Sequence, residues 1–186
     1  MPPHPTITLE PVDSVSITTL VDNVTDMLMQ DQGPAKRIGL TSEGERPLVS
    51  AAFLEGGATV DQPLAEHGFS ALITLTKGGR TRRVLFDAGV TPTGMVDNMR
   101  RLSVSPKDVE AIVLSHGHFD HTAGLDGFVR EVGRPNLPVI IHPDFWTRRR
   151  ISIPGRDPFE LPSTSKTALL GAGFDVVEER HPSFLL

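Results

Sequence analysis

One stretch of the chain, Ser115-His116-Gly117-His118-Phe119-Asp120-His121, holds three of the seven histidines and one aspartate within six positions. It directly follows an apolar run, Ala111-Ile112-Val113-Leu114, which predicts a strand buried on both faces. In an extended segment, side chains two positions apart point to the same side, so His116 and His118 are expected to face one point. Asp120 and His121 belong to the turn that follows and are expected to face a second point nearby.

These residue types at this spacing indicate a metal site. Neutral imidazole is a good ligand for zinc and similar divalent ions, and carboxylate binds them as well. Gly117 has no side chain, which lets the backbone fold close around an ion. Two pairs of ligands suit a two-metal centre, which lowers the pKa of bound water and stabilises an oxyanion or a phosphate. The alternative is a polar loop of solvated histidines.

Alternating strands and helices surround this stretch. Strands are predicted at 15–21, 70–76, 82–86, 111–114, 139–141 and 174–177. Helices are predicted at 94–102, from Ser105-Pro106, at 125–132 and at 165–170, with one or two helical turns at 24–30. Two glycines at 78–79 predict a hairpin, and residues 31–68 are interpreted as a long surface excursion. This order predicts an α/β protein with a mixed or parallel sheet.

The composition excludes several classes of protein. With 186 residues the chain is long enough for one sizeable domain and short for two. A net charge of −5 and an aromatic content of 5% argue against a nucleic-acid partner. No apolar run of about 18 residues is present to span a membrane, and the N-terminus lacks the pattern of a secretory signal. The absence of cysteine excludes a thiolate zinc site. Separately, we expect a cytoplasmic protein that acts on a small molecule.

The histidine stretch resembles the metal-binding signature of the metallo-β-lactamase superfamily over residues 114–125. Four further motifs occur in the order expected of one subgroup: Leu20-Val21-Asp22-Asn23, Glu66-His67-Gly68-Phe69-Ser70, Leu85-Phe86-Asp87-Ala88-Gly89 and Ile141-His142-Pro143-Asp144. That subgroup contains the dihydropterin-ribofuranosyl-aminobenzene-phosphate synthases and many relatives. The similarity extends over residues 15–182.

The resemblance implies an αββα sandwich of two mixed sheets packed face to face, with helices outside and metals at one edge. His116 and His118 would be ligands of a first divalent metal, and Asp120 and His121 of a second. The expected metal is zinc, as one or two ions, with manganese and iron as alternatives. Asp120 would also orient the metal-bound hydroxide that is the usual nucleophile of the superfamily's hydrolases. The expected function is metal-dependent hydrolysis, or phosphate-linked transfer, on a small soluble substrate.

Three residues outside the stretch are candidates for supporting roles. Asp87 closes a strand and is predicted to accept a hydrogen bond from a ligand imidazole, with strand-end capping as the alternative. His142, at another strand end, is predicted to be a structural or supporting residue rather than a ligand. The loop of His67 borders the pocket in the subgroup that the chain resembles, so contact with the substrate is an alternative to simple exposure.

The basic run at 148–150 and His181 are both interpreted as parts of the solvent-exposed surface. The basic run Arg148-Arg149-Arg150 would meet a substrate phosphate if it faced the site, but a solvated surface is the more common meaning of such a run. His181 is near the end of the chain, and no glycine-rich segment precedes it. We therefore do not favour it as one of the further histidine ligands that the family takes from its second half.

The resemblance also implies that the chain is incomplete at its C-terminal end. Family members of this type take further histidine ligands from the second half of the fold, and no such segment follows here. We expect a flexible lead at 1–14 and the superfamily domain at 15–186, mainly its N-terminal half. The alternative function is a non-catalytic remnant that binds metal or a partner. Self-association, or a partner that covers the missing half, is then expected.

Overall fold

The structure, a computed structural model, describes residues 8–38 and 47–184. Its strands are β1 Ser14–Val21, β2 Leu48–Ser50, β3 Ala58–Val60, β4 Ser70–Lys77, β5 Arg80–Phe86, β6 Ala111–Val113, β7 Pro138–Ile141, β8 Arg150–Ile151, β9 Phe159–Glu160 and β10 Asp175–Glu178. Its α-helices are α1 Gly94–Arg101, α2 Leu125–Val132 and α3 Lys166–Ala172. Short 3-10 helices occupy Pro106–Asp108, Phe119–His121 and Pro143–Trp146. In these two described ranges, no helix has the length and apolar character needed to cross a membrane.

Six strands form a central mixed sheet in the order β1-β4-β5-β6-β7-β10. β4 is antiparallel to both β1 and β5, whereas β5, β6, β7 and β10 run parallel to one another. The carboxyl ends of the four parallel strands therefore lie at one edge of the sheet. The end of β1 and the beginning of β4 lie at the same edge. Loops at the carboxyl ends of parallel strands are where such sheets place their functional sites.

One face of the sheet packs against the helices. Leu72, Leu85, Ile112 and Val139 form a row across four neighbouring strands, and each is at most 2% exposed. Helix side chains in the same hydrophobic core are Met95, Val96, Met99, Leu125, Phe128 and Leu169. The mixed α/β class predicted from the sequence is confirmed by this sheet and its helices.

The opposite face of the sheet is apolar but only partly covered. Ile73, Val113 and Ile140 point to this face and are half-buried, while Ile17 is 66% and Val177 38% exposed. Burial on both faces, predicted for β6 and β7, is therefore complete only on the helix side. The second sheet that the resemblance implies is not formed by the described residues, whose other ladders join only β2 with β3 and β8 with β9.

Most of the predicted strands and helices are present, but the helical turns predicted at 24–30 are wrong. The carboxylate oxygen Oδ1 of Asp26 accepts a hydrogen bond from the backbone N–H of Leu28 at 2.8 Å, a local contact that competes with helix formation. Val24 and Leu28 are each 71% exposed, so no packing stabilises a helix there. In the excursion predicted at 31–68, residues 39–46 lie outside the described residues, and the rest contains the β2–β3 hairpin.

Candidate metal centre

Four segments meet at the carboxyl edge of the parallel strands. The loop after β5 carries Asp87, and the loop after β6 carries residues 115–121. The segment that leads into β4 carries His67, and the chain leaving β1 carries Asn23. The sheet topology thus brings together motifs that lie far apart in the sequence.

Three imidazoles form a cluster at this edge. The ring centroids of His116 and His118 are 4.5 Å apart, and those of His116 and His121 are 4.3 Å apart. Burial, together with the charges of His121 and His118, holds the pKa of His116 below its usual value. The neutral imidazole favoured in this way is the form that binds a metal.

Asp87 is buried, with 1% exposure, and its carboxylate accepts three hydrogen bonds. Ser115 donates to it through the backbone N–H at 2.8 Å and through the hydroxyl at 2.7 Å. The third donor is Nδ1 of His121, at 2.7 Å. Because the Ser115 hydroxyl proton is used on Asp87, its oxygen accepts from Nδ1 of His116 at 2.9 Å. Both histidines then keep Nε2 free of a proton, which is the tautomer that a metal requires.

Asp120 lies between two imidazoles. Its Oδ2 atom is 3.5 Å from Nε2 of His121 and 3.3 Å from Nε2 of His67. The other ring nitrogen of His67, Nδ1, lies 3.2 Å from Oδ1 of Asn23. The side chain of Asp120 is 14% exposed and that of His67 is 75% exposed. The structure therefore places His67 beside one of the predicted metal ligands, at the open side of the cluster.

Two glycines allow these loops to approach one another closely. A Cβ atom at Gly117 would clash with the carbonyl oxygen of Phe145, and a Cβ atom at Gly68 would clash with the carbonyl oxygen of Asp120. Gly68 also has a φ of +105°, a backbone conformation that favours glycine. Gly117 thus permits a close approach of the backbone to the neighbouring loop at Phe145.

Glu66 and Ser115 are polar residues of the site for which the sequence predicted no role. The carboxylate of Glu66 accepts hydrogen bonds from the backbone N–H groups of Val90 at 3.1 Å and Thr91 at 3.2 Å, and from the Thr91 hydroxyl. This contact fixes the segment before His67 to the loop after β5. Both residues lie within motifs quoted above, but their partners are 24 and 28 positions away, and no local spacing reveals such pairs.

Asn98 of α1 holds the same region from the other side. It is 1% exposed, and its side-chain Nδ2 donates to the carbonyl oxygens of Leu20 at 2.7 Å and Leu64 at 2.8 Å. Its Oδ1 accepts from the backbone N–H of Leu64 at 2.9 Å. The end of β1 and the chain leading to His67 are therefore fastened to one helix.

The remaining predicted histidines make local contacts. Nδ1 of His142 accepts a hydrogen bond from the backbone N–H of Asp144 at 3.1 Å and caps the 3-10 helix at 143–146. His181 is exposed, and its backbone N–H donates to Glu179 at 3.0 Å. The contacts of His142 agree with a structural role.

The basic run divides into two parts. Arg148 and Arg150 both pair with Glu160, at 3.4 Å and 3.6 Å, on an exposed surface. Arg149 is half-buried, and its Nη1 donates to the carbonyl oxygens of Thr147 at 2.7 Å and Phe145 at 3.3 Å. These hydrogen bonds stabilise the backbone of the loop after β7.

The nitrogen and oxygen donors of this cluster are of the types that bind divalent ions, but they are not arranged as the complete ligand set of one ion. Within residues 8–38 and 47–184, no three His, Asp or Glu side chains already stand together as one ion would require. Three imidazoles nevertheless lie ring to ring, Asp120 lies beside that of His121, and two of the imidazoles have their tautomers fixed by hydrogen bonds. Nitrogen and oxygen donors without sulfur suit zinc, manganese and iron. Closure around an ion requires these side chains to rotate.

A cavity of about 350 Å³ opens between α2 and residues 162–174. Phe119 of the histidine stretch and Thr122, directly after that stretch, line it, but the four predicted metal ligands do not. Its lining is mainly apolar, with Leu125 and Phe174 among the contributors. The cavity therefore lies behind the candidate metal centre rather than at it.

Comparison with known protein families identifies the class of protein. The model of the metallo-beta-lactamase superfamily matches residues 65–179, which is more than half of the chain. The matched region contains the segment of His67, the loop of Asp87 and the complete histidine stretch. The chain therefore belongs to the metallo-beta-lactamase superfamily.

Two curated proteins of Methanocaldococcus jannaschii are similar in sequence. The chain is 34% identical over 105 residues to 7,8-dihydropterin-6-methyl-4-(beta-D-ribofuranosyl)-aminobenzene-5'-phosphate synthase, a match that covers 56% of this chain and 34% of the relative. It is 42% identical over 80 residues to an uncharacterised protein, covering 43% of this chain and 29% of that protein. The resemblance to the synthase subgroup is confirmed, and the matches span about a third of each relative's length.

Solved structures with similarity to the chain include a subclass B3 metallo-beta-lactamase from a soil metagenome library. Its sequence identity is 19% and the TM-score is 0.36. The similarity covers 64% of this chain and 47% of that one.

Proposed function

We propose that the chain provides the metal site of a hydrolase, or of a phosphate-linked transferase, that acts on a small soluble substrate. The observation that carries the proposal is the cluster of three imidazoles, with Asp120 beside one of them, at the carboxyl edge of the parallel strands in a chain of this superfamily. The similarity to a protein named as a 5'-phosphate synthase supports the phosphate-linked alternative. A cytoplasmic location, expected from the sequence, belongs to the same proposal.

Four side chains are proposed to hold the metal. His116 and His118 bind one ion, and Asp120 and His121 bind a second. Zinc is the preferred metal, and manganese or iron suits the same donors. When bound, such an ion supplies a Lewis acid that lowers the pKa of water and stabilises negative charge on a substrate oxygen.

The chain itself supplies the orientation of these ligands. Asp87 accepts directly from Nδ1 of His121 and, through the Ser115 hydroxyl, orients His116. Because Asp87 is buried, water does not compete for its carboxylate. Each of the two rings is thereby held in one tautomer before a metal or a substrate arrives.

A second candidate function is the binding of metal or of a partner without turnover. The partly exposed apolar face of the sheet favours it, because a face with Ile17 at 66% exposure is suited to contact with another surface. Under this alternative the metal stabilises the loops and no reaction takes place.

The proposal is tested by assaying the chain with Zn²⁺, Mn²⁺ or Fe²⁺ against a lactone and a phosphodiester. Asp120→Asn should lower turnover by about 100-fold or more, because it removes the anionic one of the four proposed ligands. Asp126→Asn, a change at an exposed position of α2, is the matched control and should retain full turnover. Full turnover by Asp120→Asn would contradict the mechanism. Absence of turnover by the unaltered chain, with metal bound, would favour the non-catalytic alternative.

A further inference from the structure

We infer that His67 is a further metal ligand that joins Asp120 and His121 around one divalent ion, and that Asn23 orients it. The inference rests on the proposed function, because it takes Asp120 and His121 as ligands. It goes beyond the expectation that His67 contacts the substrate.

The spacing of the donor atoms is the first observation. Nε2 of His67 and Nε2 of His121 lie 3.3 Å and 3.5 Å from the same atom, Oδ2 of Asp120. Two ligands placed about 2.1 Å from a tetrahedral zinc ion stand about 3.4 Å from each other. Each pair is therefore spaced as two neighbouring ligands of one ion would be.

The contact made by the far side of each ring is the second observation. Nδ1 of His121 lies 2.7 Å from a carboxylate oxygen of Asp87, and Nδ1 of His67 lies 3.2 Å from the amide oxygen of Asn23. Histidines that bind a metal almost always donate their other ring N–H to a carboxylate or carbonyl oxygen, which fixes the tautomer. His67 and His121 share this arrangement, and both turn Nε2 toward Asp120.

The backbone around His67 is the third observation. Gly68 packs so closely on the carbonyl of Asp120 that no Cβ fits between them. Glu66 is bonded to the backbone N–H groups of Val90 and Thr91. These contacts fix the backbone on both sides of His67, while the side chain itself is 75% exposed and has room to rotate onto an ion.

The usual coordination of a catalytic zinc ion is the fourth observation, because it calls for a third protein ligand beside Asp120 and His121. A catalytic zinc ion usually has three protein ligands and an open position. Asp120 and His121 supply two, and His67 supplies the third from a different loop. The chain can then complete a three-ligand site from its own described residues.

The test measures the affinity of the full chain for Zn²⁺ by competition with a chromophoric chelator. His67→Ala should weaken binding of an ion by at least about 10-fold, and Asn23→Ala should weaken it by about 10-fold, the loss typical for removal of an orienting partner. His181→Ala removes an exposed imidazole elsewhere and is the control, for which no change is expected. Far-UV circular dichroism should be the same for all four proteins.

The visible spectrum of the Co²⁺-loaded chain gives a readout that depends on coordination. His67→Ala should alter the d–d bands, and His181→Ala should leave them unchanged. If Asp120→Ala weakens metal binding while His67→Ala alters neither affinity nor spectrum, the inference is wrong and the proposed function stands. If Asp120→Ala also has no effect, the proposed ligands themselves are wrong. A weaker affinity of His67→Ala with an unaltered Co²⁺ spectrum would likewise overturn direct ligation.

Discussion

Asp87 is the residue that most directly links the fold to the candidate metal centre. Its φ of +56° lies in the left-handed region, where aspartate is better tolerated than most residues. Its carbonyl oxygen accepts from the Ser70 hydroxyl at 2.8 Å, and its carboxylate fixes Ser115 and His121. One buried residue thus joins the start of β4 through its backbone, and the loop after β6 and a candidate ligand through its side chain.

Asp87→Ala should lower the free energy of unfolding by about 1–3 kcal/mol, because Ser115 and His121 lose three hydrogen bonds to a buried carboxylate. Urea denaturation measures this change. Asp126→Ala removes an exposed carboxylate that pairs with Arg130 on α2, and should change stability by less than about 0.5 kcal/mol. Equal stability of the two variants would show that Asp87 does not have the assigned structural role.

Gly68→Ala should reduce both stability and metal affinity, because the added methyl group clashes with the carbonyl of Asp120. Gly78→Ala is a matched control: its φ is also positive, at +56°, but nothing lies within 4 Å of the added Cβ. Thermal unfolding and Zn²⁺ titration are the measurements. The control should show the backbone strain of about 1 kcal/mol without a change in metal affinity. If both variants bind Zn²⁺ equally, the approach of Gly68 to Asp120 does not matter for the site.

A carboxylate on β10, that of Glu178, connects this strand to α3 and to the 3-10 helix at 143–146. Glu178 accepts hydrogen bonds from Lys166 at 2.6 Å and from Nε1 of Trp146 at 2.7 Å. These two contacts, with that of Lys166 the larger, hold the pKa of Glu178 below its usual value. The ionised Glu178 therefore contributes its full stabilisation of the folded state above the ordinary glutamate pKa of about 4.3. This contribution is lost as the pH falls through the lowered pKa.

Fluorescence of Trp146, the only tryptophan in the chain, should report this titration. We expect a transition with its midpoint below about pH 4.3, which moves upward in Lys166→Ala and disappears in Glu178→Gln. Far-UV circular dichroism over the same range separates the local change from acid unfolding. A transition that persists in Glu178→Gln would assign it to another group.

Elements with a strong local pattern could be predicted from the sequence, and elements without one could not. Met95 and Met99 recur at helical spacing and are fully buried in α1, and Ser165 caps α3 by accepting from Ala168 N–H. The ladders of β2 with β3 and β8 with β9 have strands of two or three residues, too short for a pattern to emerge. At 24–30 the apolar residues suggested helical turns, but Asp26 bonds to the local backbone instead.

The candidate site shows the same division. His116, His118 and Asp120 could be found because their spacing carries the chemistry. The roles of Ser115 and Asn23 could not be found, because they depend on contacts with residues 28 and 44 positions away along the chain. Such pairs form only when the sheet brings its carboxyl-edge loops together.

The apolar face opposite the helices determines how the whole molecule should behave in solution. Its exposed side chains, such as Ile17 and Val177, favour contact with another apolar surface. We expect the purified chain to bind a hydrophobic dye and to sediment as more than a monomer. Ile17→Lys should shift sedimentation toward the monomer, whereas Leu170→Lys, at a 48% exposed position of α3, should not. A monodisperse monomer without dye binding would contradict this prediction.

The central claim is that the cluster of residues 116–121 binds divalent metal. Elemental analysis of the chain after gel filtration, following incubation with Zn²⁺, measures it most directly. The unaltered chain should retain one or two ions, and His118→Ala and Asp120→Ala should each retain less, because each removes a ligand. His142→Ala, which changes only a histidine at a helix cap, should retain the full amount. Metal content that is unchanged in both His118→Ala and Asp120→Ala would contradict the claim.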